Sequence, residues 1–136
     1  MQPSFPGPLF QSVDALQIPV PDIDAGLAFY RDRLGHSLVW RTATAAGLAM
    51  PDTETEIVLQ TKRPEIEANL KVASTADALT RFTEAGGRVF VEPFDIQIGR
   101  CAVVEDPWGN RLVILDAGKG RLVTDTEGNV TGVTKE

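Results

Sequence analysis

Alternation of apolar and polar residues predicts the first strand of this chain. The large aliphatic side chains Leu16, Ile18 and Val20 occupy every second position, and smaller or polar residues such as Ala15 and Gln17 stand between them. Because successive side chains of a strand point to opposite faces, this pattern is typical of a strand with one buried face. We expect the aliphatic face to pack against helices and the face of Ala15 and Gln17 to line a cleft.

Two segments have the spacing of amphipathic helices. The first begins after Asp22 and ends at Gly35, residue types that favour the start and the end of a helix. The second begins after Ser74 and ends at Gly86. The predicted buried positions are Ile23, Leu27, Tyr30 and Leu34 in the first helix and Ala78, Leu79, Phe82 and Ala85 in the second.

Short apolar runs between turn residues predict the remaining strands. They lie at 36–40, 47–50, 56–61, 69–72, 88–91, 99–104 and 112–115, and a trailing hairpin is predicted at 121–124 and 130–133. Pro93 interrupts the strand that starts at Arg88, so the segment up to Ile98 is predicted to be irregular or at a sheet edge. The Pro-rich N-terminus is interpreted as an arm that packs on the surface through Phe5, Leu9 and Phe10.

The segment Asp106-Pro107-Trp108-Gly109-Asn110 has the residue order of a type I turn between two buried strands. By itself, the turn is compatible with a purely structural hairpin as well as with a functional one.

A shift of 52 residues aligns the two halves of the chain. Val20 then falls on Val72, Leu27 on Leu79, and the cap residues and the glycines that end the two helices coincide. Each half reads as strand, helix and three strands, a unit too small to bury both of its faces alone. We therefore predict a single α+β domain, 1–136, of paired βαβββ modules, 13–61 and 67–116, with a C-terminal hairpin at 118–134. The mixed sheet would curl around a cleft, with the helices outside.

The composition and net charge restrict the classes of partner that the chain is expected to bind. The chain has 136 residues and a net charge of −6, which disfavours nucleic acid as a ligand because phosphate binding needs clustered Lys and Arg. No apolar run is long enough to cross a membrane, and the N-terminus lacks the pattern of a signal peptide. Together with the single cysteine, Cys101, this favours a cytoplasmic protein that does not bind membranes.

Three blocks of sequence resemble the vicinal oxygen chelate superfamily, which includes glyoxalase I, extradiol dioxygenases, fosfomycin-resistance enzymes and bleomycin-binding proteins. The blocks are Val20-Pro21-Asp22 with Phe29-Tyr30-Arg31-Asp32-Arg33-Leu34-Gly35, then Glu84-Ala85-Gly86-Gly87, and finally Glu105-Asp106-Pro107-Trp108-Gly109-Asn110. The resemblance implies paired βαβββ modules, a homodimer and, in the enzymes, a divalent metal held in the cleft by His and Glu side chains of four strands.

The residues at the four metal positions depart from that pattern. The resemblance places these positions at Ala15, near Leu59, at Glu67 and at Val113. A register slip of one residue would exchange Leu59 for Gln60 without restoring a histidine. Because aliphatic side chains cannot donate electron pairs to a metal, we predict no metal and no cofactor. The only histidine, His36, lies outside the set and is interpreted as an ordinary surface residue.

The remaining cleft residues are the candidate site. The predicted ligand-binding residues are Gln17, Trp40, Leu48, Met50, Leu59, Asn69, Arg100, Cys101, Arg111 and Val113, with Ala15 and Leu115 beside them. Trp40 could stack on a planar ligand or simply pack in the protein or against a second subunit. Glu67 is the catalytic candidate, a general base; the alternatives are a solvated carboxylate and a cation-binding group at the rim. Cys101 is interpreted as a small buried residue.

Three hypotheses follow. The favoured one is a metal-independent protein that sequesters a small, aromatic or cationic, molecule in the cleft. The second is a glyoxalase-like lyase or isomerase acting on a small carbonyl compound, with Glu67 as base or with an atypical divalent metal. The third is a structural module whose cleft is filled by side chains.

Overall fold

The computed structural model describes residues 7–135 and contains ten strands and two helices in that part of the chain. The strands are β1 Ser12–Pro19, β2 Leu38–Arg41, β3 Ala45–Met50, β4 Thr53–Gln60, β5 Glu67–Lys71, β6 Arg88–Asp95, β7 Arg100–Glu105, β8 Arg111–Leu115, β9 Arg121–Thr124 and β10 Val130–Thr134. The helices are α1 Ile23–Leu27, continued by a π-helical segment Ala28–Arg33, and α2 Thr75–Glu84.

Eight strands form one mixed sheet in the order β2-β3-β4-β1-β5-β8-β7-β6. The first module supplies β2, β3, β4 and β1, and the second supplies β5, β8, β7 and β6 in mirrored order. The modules meet where β1 pairs antiparallel with β5. Gln17 and Asn69, which the 52-residue repeat makes equivalent, bond to each other across this junction. The prediction of an α+β fold of paired βαβββ modules is confirmed.

Each module buries one helix against the same face of the sheet. Ile23 and Leu27 of α1 pack on Ala46, Leu48 and Leu59. In the second module, Val72 and Ala78 pack on Ala102, Val104 and Ile114. Gly26 allows α1 to lie close to β4, because a Cβ at this position would lie 2.9 Å from Leu59 Cδ1. The helices therefore cover one face of the sheet, and the opposite face is left for the cleft.

The first helix differs from the predicted regular α-helix. It widens into a π-helical segment, in which the Leu34 N–H donates to the Phe29 carbonyl at 3.0 Å. Tyr30 still packs on the core, but Leu34 is 53% exposed. A uniform period of 3.6 residues places Leu34 on the buried face, and the wider turn rotates it away from the core. The prediction that Leu34 is buried is therefore wrong, as is that for Ala85, which follows the end of α2 and is exposed.

The edge strand β6 accommodates Pro93 as predicted. Among the described strands it pairs with β7 alone, and its register shifts twice, between Val89 and Val91 and between Val91 and Phe94. Proline is tolerated at such a place because the missing N–H interrupts no inner ladder.

The hairpin of β9 and β10 forms a separate two-stranded sheet beside the opening of the large one. Its tip is tied to the first module, because the Arg41 N–H donates to the Gly128 carbonyl at 2.7 Å. Its start is tied to the second module by the Lys119 N–H, which donates to the Ile98 carbonyl at 2.8 Å. The hairpin thus spans both modules.

The N-terminal arm packs on the second helix in the part that is described. Leu9 contacts the core cluster beneath α2, and Arg81 donates to the Gly7 carbonyl at 2.9 Å. Phe10 is 37% exposed, and the predicted contact of Phe5 lies outside the described residues. Between residues 7 and 135, no helix has the length and apolar character to cross a membrane.

Candidate functional site

The register of the central strands defines which side chains face the cleft. Gln17 lies beside Val58 of β4 and Glu67 of β5, and Asn69 lies beside Val113 of β8. Neighbouring residues in register point to the same side of a sheet, so these side chains share its helix-free face, which we call the concave face. Ala15 also belongs to it.

Leu48 and Leu59 lie on the opposite face. Both are 0% exposed and pack against α1. The prediction that they line the cleft is therefore wrong, and so is the use of Leu59 as a metal position. The residues of β4 on the concave face are Val58 and Gln60, so the strand is one residue out of the predicted phase.

A hollow of about 590 Å³ lies between the concave face and the C-terminal hairpin. We call it the covered hollow. The lining residues are Asp14, Gln17, Val39, Trp40, Ala45, Glu54, Glu56, Val58, Asn69, Lys71, Ile96, Gln97, Ile98, Leu115, Ala117, Gly120, Arg121, Leu122 and Thr124. Of the predicted ligand-binding residues, Gln17, Trp40 and Asn69 are among them, with Leu115 beside them.

The indole of Trp40 lies against Gly47 of β3. A Cβ on Gly47 would collide with the indole, so the glycine makes this position of the ring accessible. The indole Nε1 donates to Glu56 Oε1 at 2.8 Å, which fixes the ring with one side towards the hollow. Trp40 thus presents an aromatic surface whose polar atom is already bonded.

Two carboxylates of the covered hollow are poorly solvated. Burial raises the pKa of Glu56, the hydrogen bond from Trp40 opposes that rise, and the charge of Asp14 adds to it. Burial also raises the pKa of Asp14, and the charge of Lys71 opposes the effect. The charge of ionised Asp14 therefore disfavours ionisation of Glu56.

The guanidinium of Arg63 bridges the two modules at the middle of the concave face. Its Nε donates to Glu67 Oε1 at 2.7 Å, and its Nη2 donates to Gln17 Oε1 at 2.6 Å. Gln60 holds the same segment, because its Oε1 accepts the N–H of Arg63 at 2.8 Å and its Nε2 donates to the Arg63 carbonyl at 2.8 Å. Arg63 falls between the two predicted modules, 13–61 and 67–116, and is not among the predicted site residues.

The residues at the metal positions do not fit a divalent ion. Ala15 and Val113 have no donor atoms, Gln60 Oε1 is occupied by two backbone N–H groups, and Glu67 is paired with a guanidinium. Within the described range of 7–135, no three His, Cys, Asp or Glu side chains come close enough to hold a metal. His36, the only histidine, contacts the Ala49 carbonyl at 3.1 Å outside this region.

Cys101 and Val113 lie on the concave face beneath a short loop. With Leu115 they form an apolar cluster that Ile96 and Ile98 cover. Burial raises the pKa of the Cys101 thiol to about 11, which leaves it protonated and unreactive at neutral pH. This agrees with the interpretation of Cys101 as a small buried residue, and it places Cys101 and Val113 outside the lining of the hollow.

The other three predicted residues are dispersed. Arg111 lines a second hollow together with Glu67. Met50 lies at the end of β3, beside the turn to β4, and Arg100 is exposed at the start of β7. Neither Met50 nor Arg100 lines either hollow. Of the predicted site residues, the structure thus brings Gln17, Trp40 and Asn69 to the covered hollow and Glu67 and Arg111 to the second hollow, and the others line neither.

The turn after Glu105 is fixed by its own hydrogen bonds. Asp106 Oδ1 accepts the N–H groups of Trp108 and Asn110 at 2.9 Å, and Gly109 adopts a positive φ of 89°. Trp108 is 83% exposed and contributes to neither hollow. These bonds account for the residue types of the turn without a ligand, which favours the structural interpretation.

Comparison with known proteins gives a family match and similar folds. The model of the Glyoxalase/Bleomycin resistance protein/Dioxygenase superfamily matches residues 12–114. A methylmalonyl-CoA epimerase from Mycobacterium tuberculosis is 22% identical, with a TM-score of 0.70 over 82% of this chain and 91% of the other. The same enzyme from Streptomyces coelicolor is 18% identical, with a TM-score of 0.67 over 79% and 98%.

A homoprotocatechuate 2,3-dioxygenase from B. fuscum is 23% identical, with a TM-score of 0.61 over 85% of this chain but only 34% of the other. A search of curated proteins by sequence finds no match. At these identities, the structural similarities establish the fold and leave the activity open.

Proposed function

The chain belongs to the Glyoxalase/Bleomycin resistance protein/Dioxygenase superfamily, and from that premise we propose that it binds a small molecule in its covered hollow without a divalent metal. The ligand is sequestered between the concave face and the C-terminal hairpin, with Gln17, Trp40 and Asn69 as contact residues.

The observation that carries the proposal is the Arg63 bridge. A guanidinium is a permanent cation, and here it is bonded to Glu67 and Gln17 on the two strands that join the modules. A divalent ion among these residues would have to displace Arg63 and would still face the side chains of Ala15 and Val113. Arg63 thus supplies a positive charge beside Glu67, and the family's metal is not needed to balance that carboxylate.

The covered hollow has the properties of a ligand site. Its volume of about 590 Å³ lies within the range of small-molecule pockets, and its walls are mixed apolar and polar. Trp40 offers a flat surface for an aromatic ring. Gln17 and Asn69 are nearly buried, at 8% and 9% exposure, and their hydrogen bond fixes their orientation. Glu56 and Asp14 favour a ligand with a positive group.

The second candidate is a lyase or isomerase that acts on a small carbonyl compound. The fold shared with methylmalonyl-CoA epimerases favours it, and Glu67 would be the base. In the structure, one Glu67 oxygen accepts the bond from Arg63, so such a base would work through the other oxygen or after Arg63 has moved. The first candidate requires no such rearrangement.

The neutral dye N-phenyl-1-naphthylamine tests the proposal directly. In a Trp108→Phe variant, Trp40 is the only tryptophan, so its fluorescence reports on the covered hollow alone. We expect saturable quenching of Trp40 by the dye, unchanged by EDTA. An Ala45→Phe variant, which fills the hollow at a lining position, should lose the quenching.

Quenching that requires added zinc, nickel or manganese would support an atypical metal site instead. The open hollow counts against the third hypothesis, a structural module with a filled cleft, but absence of saturable binding in a folded protein would contradict the proposal and favour a structural role.

We also propose that the protein is a homodimer. Phe29 in the π-helical segment and Leu34 at its C-terminal cap are 50% and 53% exposed, and large apolar side chains exposed close together in the chain favour a protein–protein contact. Light scattering during size-exclusion chromatography should give twice the 14.7 kDa mass of the chain, and Leu34→Glu should give the monomer mass. A wild-type mass of one chain would contradict this proposal and leave the ligand proposal intact.

A further inference from the structure

A second hollow of about 620 Å³ opens on the other side of the Arg63 bridge. We call it the arginine hollow. The lining residues are Arg63, Pro64, Glu65, Ile66, Glu67, Phe90, Val91, Val103, Gly109, Asn110 and Arg111. It combines two guanidinium groups with an apolar wall, and it takes no part in the function proposed above.

Arg63 lines this hollow and has guanidinium N–H groups beyond those that bond to Glu67 and Gln17. Its side chain is 44% exposed, while that of its partner Glu67 is 17% exposed. A guanidinium carries five N–H groups, and the bonds to Glu67 and Gln17 use two of them among the described residues. Because Glu67 and Gln17 hold the guanidinium in place, its remaining N–H groups are oriented before a ligand arrives.

Arg111 also lines this hollow and is held against an aromatic ring. Its guanidinium carbon lies 3.6 Å from the centroid of Phe90, within cation–π distance. Its Nε is 3.3 Å from Glu105 Oε2, a long contact, whereas Glu105 Oε1 accepts a 2.6 Å bond from Arg88. The Arg111 side chain remains 48% exposed. Glu105 is therefore shared between two arginines, and most of the Arg111 guanidinium is available.

The apolar wall results from the irregular pairing of the edge strand. A register shift between Val89 and Val91 allows the consecutive residues Phe90 and Val91 to line the same hollow. They are 43% and 39% exposed, and Val103 continues the wall on the next strand. An apolar ligand body placed here would remove their surface from water.

We propose that the arginine hollow binds the carboxylate of a small organic acid with an apolar body. The planar fork of a guanidinium matches the two oxygens of a carboxylate, and two guanidinium groups on one cavity favour an anion even in a chain of net charge −6. Glu67 is bonded to Arg63, and both oxygens of Glu105 contact arginines, so these acidic groups leave the spare N–H groups of Arg63 and Arg111 to the ligand. Glu65 lies exposed at the rim.

Benzoate and its neutral analogue benzamide form a matched pair of probes. We expect benzoate to bind saturably in an NMR titration, with shifts at the backbone amides of Phe90, Val103 and Arg111, and benzamide to bind at least about tenfold more weakly. Arg111→Gln and Arg63→Gln should each reduce benzoate affinity about tenfold or more. Arg100→Gln, which removes an exposed arginine outside both hollows, should leave the affinity unchanged.

Arg111→Gln keeps the test valid if Arg63→Gln impairs folding, because the Arg111 side chain is 48% exposed and its contacts among the described residues are those with Phe90 and Glu105. Equal binding of benzoate and benzamide would overturn the proposal, as would no saturable binding of benzoate or full affinity in a folded Arg111→Gln variant. Each of these outcomes leaves the dye-binding test of the covered hollow unaffected.

Discussion

Gln17 links the two modules on the concave face through hydrogen bonds of its side-chain amide. Its amide nitrogen donates to Asn69, its repeat equivalent, and its oxygen accepts from Arg63. At 8% exposure it satisfies the requirement that a buried amide be hydrogen-bonded on both sides. Gln17 and Asn69 could be predicted as cleft residues because the alternation in β1 and the 52-residue repeat both indicate it.

Leu59 and Arg63 show where residue-scale prediction from the sequence reaches its limit. Ile57, Val58 and Leu59 are all aliphatic, so the sequence does not reveal which of them faces the helices. Pairing with β1 decides it, and a slip of one residue exchanges the faces. Arg63 lies between strands and reaches the cleft only because the chain folds back over it, which local periodicity does not encode.

Replacement of Glu56 by Gln should stabilise the protein at neutral pH. Burial is the main cause that raises the pKa of Glu56 in the folded protein, so folding favours the protonated carboxyl group. The contribution of Glu56 to the free energy of unfolding is therefore complete below the ordinary pKa of 4.5 and is lost as the pH rises through the folded-state pKa. Gln removes the charge and keeps an oxygen for the bond from Trp40. The melting temperature of Glu56→Gln should exceed that of the wild type at pH 7, and the difference should vanish near pH 4.

Glu54→Gln is the control, since Glu54 lines the same hollow but is exposed. A Glu56→Gln variant that is less stable than the wild type at pH 7 would show that the carboxylate is paired favourably and would contradict this explanation.

Addition of one methyl group at Gly47 should displace Trp40. The new Cβ collides with the indole, and the required shift should cost about 1–3 kcal/mol of unfolding free energy. In a Trp108→Phe background, the emission of Trp40 should move to longer wavelength as the ring enters solvent. Gly132→Ala, at a strand position with no heavy atom within 4 Å, should change neither quantity. An unshifted spectrum in Gly47→Ala would show that the ring does not rest on β3.

At the scale of elements, two hairpins use the same five-residue turn. Asp106 and Asp125 each accept the N–H groups two and four residues later, and a glycine with positive φ precedes the closing Asn in both. This repetition of Asp-x-x-Gly-Asn is visible in the sequence and predicts both turns. The change of the first helix to a π-helical segment is not visible, because the residues Ala28–Arg33 are equally compatible with an α-helix.

Asp116 connects three elements of the second module. Its carboxylate accepts the N–H of Thr75 at the start of α2, at 2.9 Å, and those of Arg100 and Gly118, at 3.2 Å. Burial by itself raises the pKa of Asp116, but these bonds outweigh it and hold the pKa below its ordinary value. Asp116 therefore stabilises the fold as an anion.

Asp116→Asn should lower the unfolding free energy by about 1–3 kcal/mol at pH 7, because one oxygen is replaced by a donor. Because the pKa of Asp116 is lowered in the folded protein, its contribution to the free energy of unfolding is present above the ordinary pKa of 3.8. That contribution is lost as the pH falls through the folded-state pKa. Urea denaturation should therefore show a smaller difference from the wild type at pH 3 than at pH 7. Asp95→Asn, at an exposed ion pair, should change the stability little. An equal loss of unfolding free energy in both variants would show that the hydrogen bonds from backbone N–H groups to Asp116 do not stabilise the fold more than an exposed ion pair does.

At the scale of the whole molecule, the repeat determines the architecture and the hairpin breaks its symmetry. The order of eight strands follows from pairing two equivalent modules, which is why the fold and the position of the cleft could be predicted. The hairpin covers only one end of the concave face, and the loop with Ile96 and Ile98 covers Cys101 and Val113. The repeat gives no indication of either cover, so the division into two hollows emerged only from the structure.

The titration of metal-free protein with zinc, nickel and manganese tests the central claim that the Arg63 bridge takes the place of a metal. We predict that equimolar metal changes the melting temperature by no more than about 1 °C, since a ligand that does not bind the folded state cannot stabilise it. A saturable rise of several degrees that is lost in Glu67→Gln but retained in His36→Gln would place a metal in the cleft and contradict the account.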